Sequence, residues 1–121
     1  MEKELFDYVD ERADILSVSD TSKQDTKEMA LAWKEASASG DDAAIDAATE
    51  KLLDFLAGRM TTIAQVIAFA QGPAVQLFGE EGAAQMLAAQ QKRKEQGAKY
   101  CNCEAHTAAG ELLAKFGRIE L

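Results

Sequence analysis

Apolar residues recur at three- and four-residue spacing along most of the chain, the repeat that lines one face of an α-helix. The first run is Leu5, Val9, Ala13 and Leu16 with Phe6 beside it, while Asp7, Asp10, Glu11 and Asp14 fall on the opposite side. It predicts a helix from about Lys3 to Ser17. Ser19-Asp20-Thr21-Ser22 is a loop, and Ser22 followed three residues later by Asp25 resembles a capping arrangement for a second helix over about Lys23 to Ala38. The stripe of that helix is Met29, Ala30, Trp33 and Ala36, extended by Thr26, and Trp33 reads as a core anchor rather than a ligand platform. Gly40 and Asp41 form a hairpin connection, with the aspartate as N-cap. The third helix carries Ile45, Ala48, Leu52, Phe55 and Leu56 to about Ala57, where Gly58 permits a break.

Thr61 or Thr62 caps a fourth helix holding Ile63, Val66, Ile67 and Ala70, with Phe69 on a second face. Being apolar around much of its circumference, this helix is expected at the centre of the fold. Gly72-Pro73 interrupts it, because proline lacks an amide donor and restricts the residue before it. A short helix begun by Pro73 follows, with Val75, Leu77 and Phe78, and Gly79 ends it. The fifth long pattern runs from about Glu81 to Gln96, with Ala83, Met86, Leu87 and Gln90 inward and Gly97 as terminator. Gln91-Lys92-Arg93-Lys94 faces outward, its cations complementing the helix dipole. The last helix starts near Cys103 or Glu104, buries Ala109, Leu112, Leu113 and Phe116, and stops at Gly117.

Composition agrees with the pattern. Hydrophobic residues make up 47% of 121, much of it alanine, and a single proline with few β-branched runs leaves little material for strands. The expectation is an all-α fold, a single-domain bundle of about six helices over residues 1–121, with a short Pro73-initiated helix in the middle. A formal charge of -8 argues against nucleic acid and anionic membranes as partners. Met1-Glu2-Lys3-Glu4 leads straight into an amphipathic run, so no secretory signal is expected, and no stretch approaches a membrane span. Two cysteines one residue apart do not make a disulfide framework, which points to a cytoplasmic setting.

The chemistry is concentrated in Tyr100-Cys101-Asn102-Cys103-Glu104-Ala105-His106, which holds both cysteines and the only histidine. Cys101 falls in a loop, Cys103 at a helix start and His106 one turn on. A helix N-terminus favours a thiolate, hence ligation or nucleophilicity. Cys101, Cys103 and His106 are therefore the candidate metal ligands and zinc the candidate ion. A closed zinc site takes four ligands, so the fourth must be a carboxylate such as Glu104 or Glu111, a water, or another subunit. Structural cysteines with a surface histidine are the plain alternative. Thiol redox chemistry, in which Cys101 and Cys103 pair or trap a sulfenic acid, is another. A hydrolytic Cys-His pair lacks an orienting carboxylate and an oxyanion hole, and no catalytic or cofactor-binding constellation stands out elsewhere.

The segments Ile67-Ala68-Phe69-Ala70, Phe78-Gly79 and Gly97 through His106 resemble a group of small bacterial helical proteins, in which the last segment often reads A-K-Y-C-D-C-P-A-C. Some members carry heat-shock or chaperone labels, yet this chain is far too short for an ATP-driven chaperone and lacks its nucleotide-binding motifs. The resemblance implies that His106 stands where relatives have a third cysteine, an exchange between two zinc-ligand types, while Glu104 replaces a proline. The expected protein is a small cytoplasmic helical one with a Cys/Cys/His transition-metal site. A helical interaction or homodimerisation module with an apolar face around Phe69, Val75, Leu77 and Phe78 is the alternative, which would bring a second copy or another protein as partner.

Overall fold

The computed structural model describes residues 1–121 and is all-α. Six helices follow one another: α1 (Lys3–Val18), α2 (Gln24–Ala38), α3 (Asp42–Ala57), α4 (Ile63–Gln71), α5 (Pro73–Glu95) and α6 (Glu104–Lys115). The backbone groups into two compact units, one of Met1–Met60 with Asn102–Glu120 and one of Thr61–Cys101 with Leu121.

The first unit contains α1, α2, α3 and α6. Each contributes a stripe at helical spacing: Val9, Ala13 and Leu16 from α1, Ala30 and Trp33 from α2, Leu52, Leu53 and Leu56 from α3, and Leu112 and Leu113 from α6. Small residues on α6, Ala105, Ala108, Ala109 and Gly110, are also buried, so large side chains on facing helices meet short ones. Trp33 is the anchor, as its spacing suggests. It is 1% exposed, its ring centroid lies 5.5 Å from that of Phe6, and its indole N–H donates to Thr49 Oγ1 at 2.9 Å. The threonine hydroxyl in turn donates to the Ile45 carbonyl at 2.8 Å, so both the indole N–H and this hydroxyl are satisfied. Tyr8 and Arg12 of α1 stack, with the guanidinium carbon 3.4 Å from the ring centroid, and Arg12 reaches Glu111 of α6 at 3.5 Å.

The helix starts for which the sequence names a capping residue follow it with one exception. Asp41 accepts the Ala43 amide at 3.1 Å and starts α3. The capping pair expected from Ser22 and Asp25 does not form. Lys23 is the N-cap of α2 and offers no side-chain cap, the Asp25 carboxylate turns to the Thr26 amide and to Arg59, and Ser22 Oγ is buried with no hydrogen-bond partner.

The second unit pairs α4 with α5. Thr62 starts α4 with a capping box, its hydroxyl accepting from the Gln65 amide while the Gln65 side chain accepts from the Thr62 amide. Pro73 begins α5, and Gly79 (φ 78°, ψ 170°) breaks it into a short and a long stretch, where the sequence places the end of the short helix. The expectation that α4 lies at the centre of the fold is corrected. It is only nine residues long, it buries just Ile63 and Ala70 deeply, and the principal core belongs to α1, α2, α3 and α6. The ends of this unit are tied by an antiparallel bridge between Thr62 and Tyr100, with the Ile63 amide donating to the Lys99 carbonyl and the Cys101 amide to the Thr61 carbonyl, both at 2.9 Å.

Candidate metal centre

The six residues from Cys101 to His106 build the site from one continuous piece of chain. Cys101 ends the bridge with Thr62 and Tyr100, its amide held by the Thr61 carbonyl. Two residues on, Cys103 is the N-cap of α6 in an extended conformation (φ -62°, ψ 161°), and its sulfur accepts the His106 amide at 3.4 Å. A sulfur at an N-cap takes the place of the oxygen usually found there and lies in the positive field of the helix start. His106 follows at the i+3 position, where a helix returns to nearly the same face. Its Nδ1 sits 3.0 Å from Cys103 Sγ.

The other ring nitrogen fixes the imidazole. His106 Nε2 lies 3.0 Å from the Arg59 carbonyl oxygen. A carbonyl only accepts, so Nε2 carries a proton and donates it, and Nδ1 is the ring nitrogen that faces the sulfur. Arg59 is itself held in place just after α3: its amide donates to the Leu56 carbonyl at 2.9 Å, its guanidinium pairs with Asp25, and it lies over the Phe55 ring at 4.8 Å. The first turn of α6 has a second clasp in Thr21, whose hydroxyl oxygen accepts the Ala105 amide at 2.8 Å and lies 2.9 Å from Ser19 Oγ.

Cys101 Sγ, Cys103 Sγ and a His106 ring nitrogen all lie within 4.8 Å of one another, and all three residues are partly exposed. Zinc bonds of about 2.3 Å to sulfur and 2.0–2.1 Å to nitrogen place tetrahedral ligand atoms about 3.5–3.8 Å apart. The 4.8 Å limit of the group is about 1 Å wider than that spacing. Two sulfurs and an imidazole are a soft-to-borderline donor set, suited to zinc and other transition metals.

No protein family, curated protein or solved structure matches this chain.

The carboxylates considered as a fourth ligand do not join the group. Glu104 is two residues before His106 and so projects about 200° away around the helix, into solvent. Glu111 lies five residues beyond, about 140° around, where Arg12 engages it at 3.5 Å. The sequence reading also missed Arg59 and Thr21. One acts through a backbone carbonyl, which every residue has; the other lies more than eighty positions from its partner amide.

Proposed function

We propose that the protein binds a transition metal, zinc by preference, through Cys101, Cys103 and His106. The observation that carries this reading is the hydrogen bond from His106 Nε2 to the Arg59 carbonyl. A ligating histidine usually donates its second ring N–H to a carbonyl or carboxylate, which fixes the tautomer and aims the lone pair, and here the other ring nitrogen, Nδ1, faces a cysteine sulfur. Three protein ligands leave one tetrahedral corner for water, a small ligand or a donor from a partner. On this reading the chain is a small cytoplasmic helical metal protein, related to the bacterial group whose A-K-Y-C-x-C-x-A-C/H segment it resembles. Elemental analysis of protein purified without chelators tests it. Near-stoichiometric zinc, lost in a Cys101→Ser, Cys103→Ser variant, is expected. A metal-free protein whose stability does not change on adding zinc would overturn the reading.

A second reading rests on α5. Val75, Leu77 and Phe78 are 37%, 66% and 57% exposed, a cluster of large apolar side chains open to solvent on the short stretch before Gly79. Self-association through this stretch would cover it; Phe69, expected on the same face, is half-buried within α4. Light scattering over a concentration series decides, since a monomer at high concentration would remove this reading.

A further inference from the structure

We propose that the metal site is gated by oxidation: hydroperoxides convert Cys101 and Cys103 into a disulfide and so release the metal. The inference rests on the metal-binding reading above and adds its regulation.

Three features support it. The two sulfurs are brought together by the chain itself, since residues two apart are at most about 7 Å from each other, and both sulfurs belong to the 4.8 Å ligand group. Both cysteines are partly exposed, so a small oxidant reaches them. The third donor, His106, is held from outside the pair by the Arg59 carbonyl. Oxidation therefore removes two of three ligands at once and leaves a single imidazole, too little to retain an ion.

The chemistry balances with a hydroperoxide as the only oxidant. The Cys103 thiolate attacks the terminal oxygen, the O–O bond breaks, and the departing alkoxide takes a proton from water. Cys103 is then a sulfenic acid. The Cys101 thiolate attacks its sulfur, an S–S bond forms, and hydroxide leaves and is protonated to water. Two thiolates have given two electrons to one peroxide, and the metal leaves as an unchanged dication. Cys103 reacts first in this scheme, its sulfur being held at the start of α6 by the His106 amide at 3.4 Å. A bridge between cysteines separated by one residue is strained, and strained bridges are easily reduced. Cellular thiols would therefore restore the site.

The test uses the whole protein loaded with one equivalent of zinc and exposed to hydrogen peroxide. Released zinc is followed with a chromophoric indicator and the tryptic peptide Tyr100–Lys115 by mass spectrometry. The expected result is zinc release in step with a peptide lighter by two hydrogens, with dithiothreitol restoring both. In a Cys101→Ser variant, sulfenic acid trapped at Cys103 by a dione probe should rise at least tenfold over the parent. If zinc binds but stays bound through oxidation, or leaves while a sulfur gains oxygens and no bridge forms, the gate is wrong and the metal site stands. If the reduced protein takes up no zinc, both fall.

Discussion

His106 donates from Nε2 to the carbonyl of Arg59 at 3.0 Å, a bond across forty-seven positions of sequence that decides which ring nitrogen faces the cysteines. Replacing His106 with alanine removes a ligand, and zinc affinity should fall by more than the roughly 10–100-fold that loss of an outer partner costs. Competition titration against a chelator of known affinity measures it. An affinity within twofold of the parent would take His106 out of the site.

Thr21 bears on the same helix start. Thr21→Val keeps the shape but leaves the Ala105 amide without its acceptor, so stability should drop by about 1–2 kcal/mol in urea unfolding. Zinc affinity should fall with it, because α6 presents both Cys103 and His106.

The buried pair Trp33 and Thr49 offers a core test independent of the metal. Thr49→Val strands the indole N–H in a dry environment and should cost about 1–3 kcal/mol. Trp33→Ala adds a cavity and should cost about 3–5 kcal/mol. Denaturant midpoints at constant slope would report both.

Lys34 of α2 pairs with Asp10 and Asp14 of α1, the latter at 2.8 Å. Its pKa is raised above the usual 10.5, through hydrogen bonds to Asp10 first and Asp14 second. A raised value means that the folded state holds the proton more tightly than the unfolded one. The contribution is therefore complete below about pH 10.5 and is lost as pH climbs through the folded value. A Lys34→Met variant should be less stable than the parent by about 0.5–1 kcal/mol at neutral pH, with the gap closing in strongly alkaline solution. A gap that persists there would mean that the lysine acts through packing.

Ser22 gives a prediction of opposite sign. Its hydroxyl is buried without a partner, so Ser22→Ala should leave stability unchanged or raise it by up to about 1 kcal/mol. A loss above that size in a thermal melt would show that the hydroxyl has an unobserved partner.

Much of this fold is readable from apolar spacing, because helices that pack on one side repeat their buried residues every three or four positions. Val9, Ala13 and Leu16 illustrate the rule, as does Ala109 with Leu112 and Leu113. The break at Gly72-Pro73 is readable because proline lacks an amide donor and restricts the residue before it, and that at Gly79 because its φ of 78° suits glycine. The pattern misleads for α4, where apolar content suggested a central position; a nine-residue helix has too little surface to organise a core. It misleads again at Ser22, which reads as part of a cap and whose side chain is instead buried. The cysteine and histidine cluster is visible because its members are contiguous. Its supports are not, since the Arg59 and Thr61 carbonyls have no side-chain signature and Thr21 meets Ala105 only after folding.

The paired backbone bonds at Thr61–Ile63 and Lys99–Cys101 mean that the chain enters and leaves its second unit through one doorway. Such an excursion is topologically an insertion. Its length can change at modest entropic cost, growing only as the logarithm of the loop. Trimming residues 64–98 to a tight hairpin would then leave the doorway shut, and Cys101, standing on its threshold, would keep its place in the chain beside Cys103.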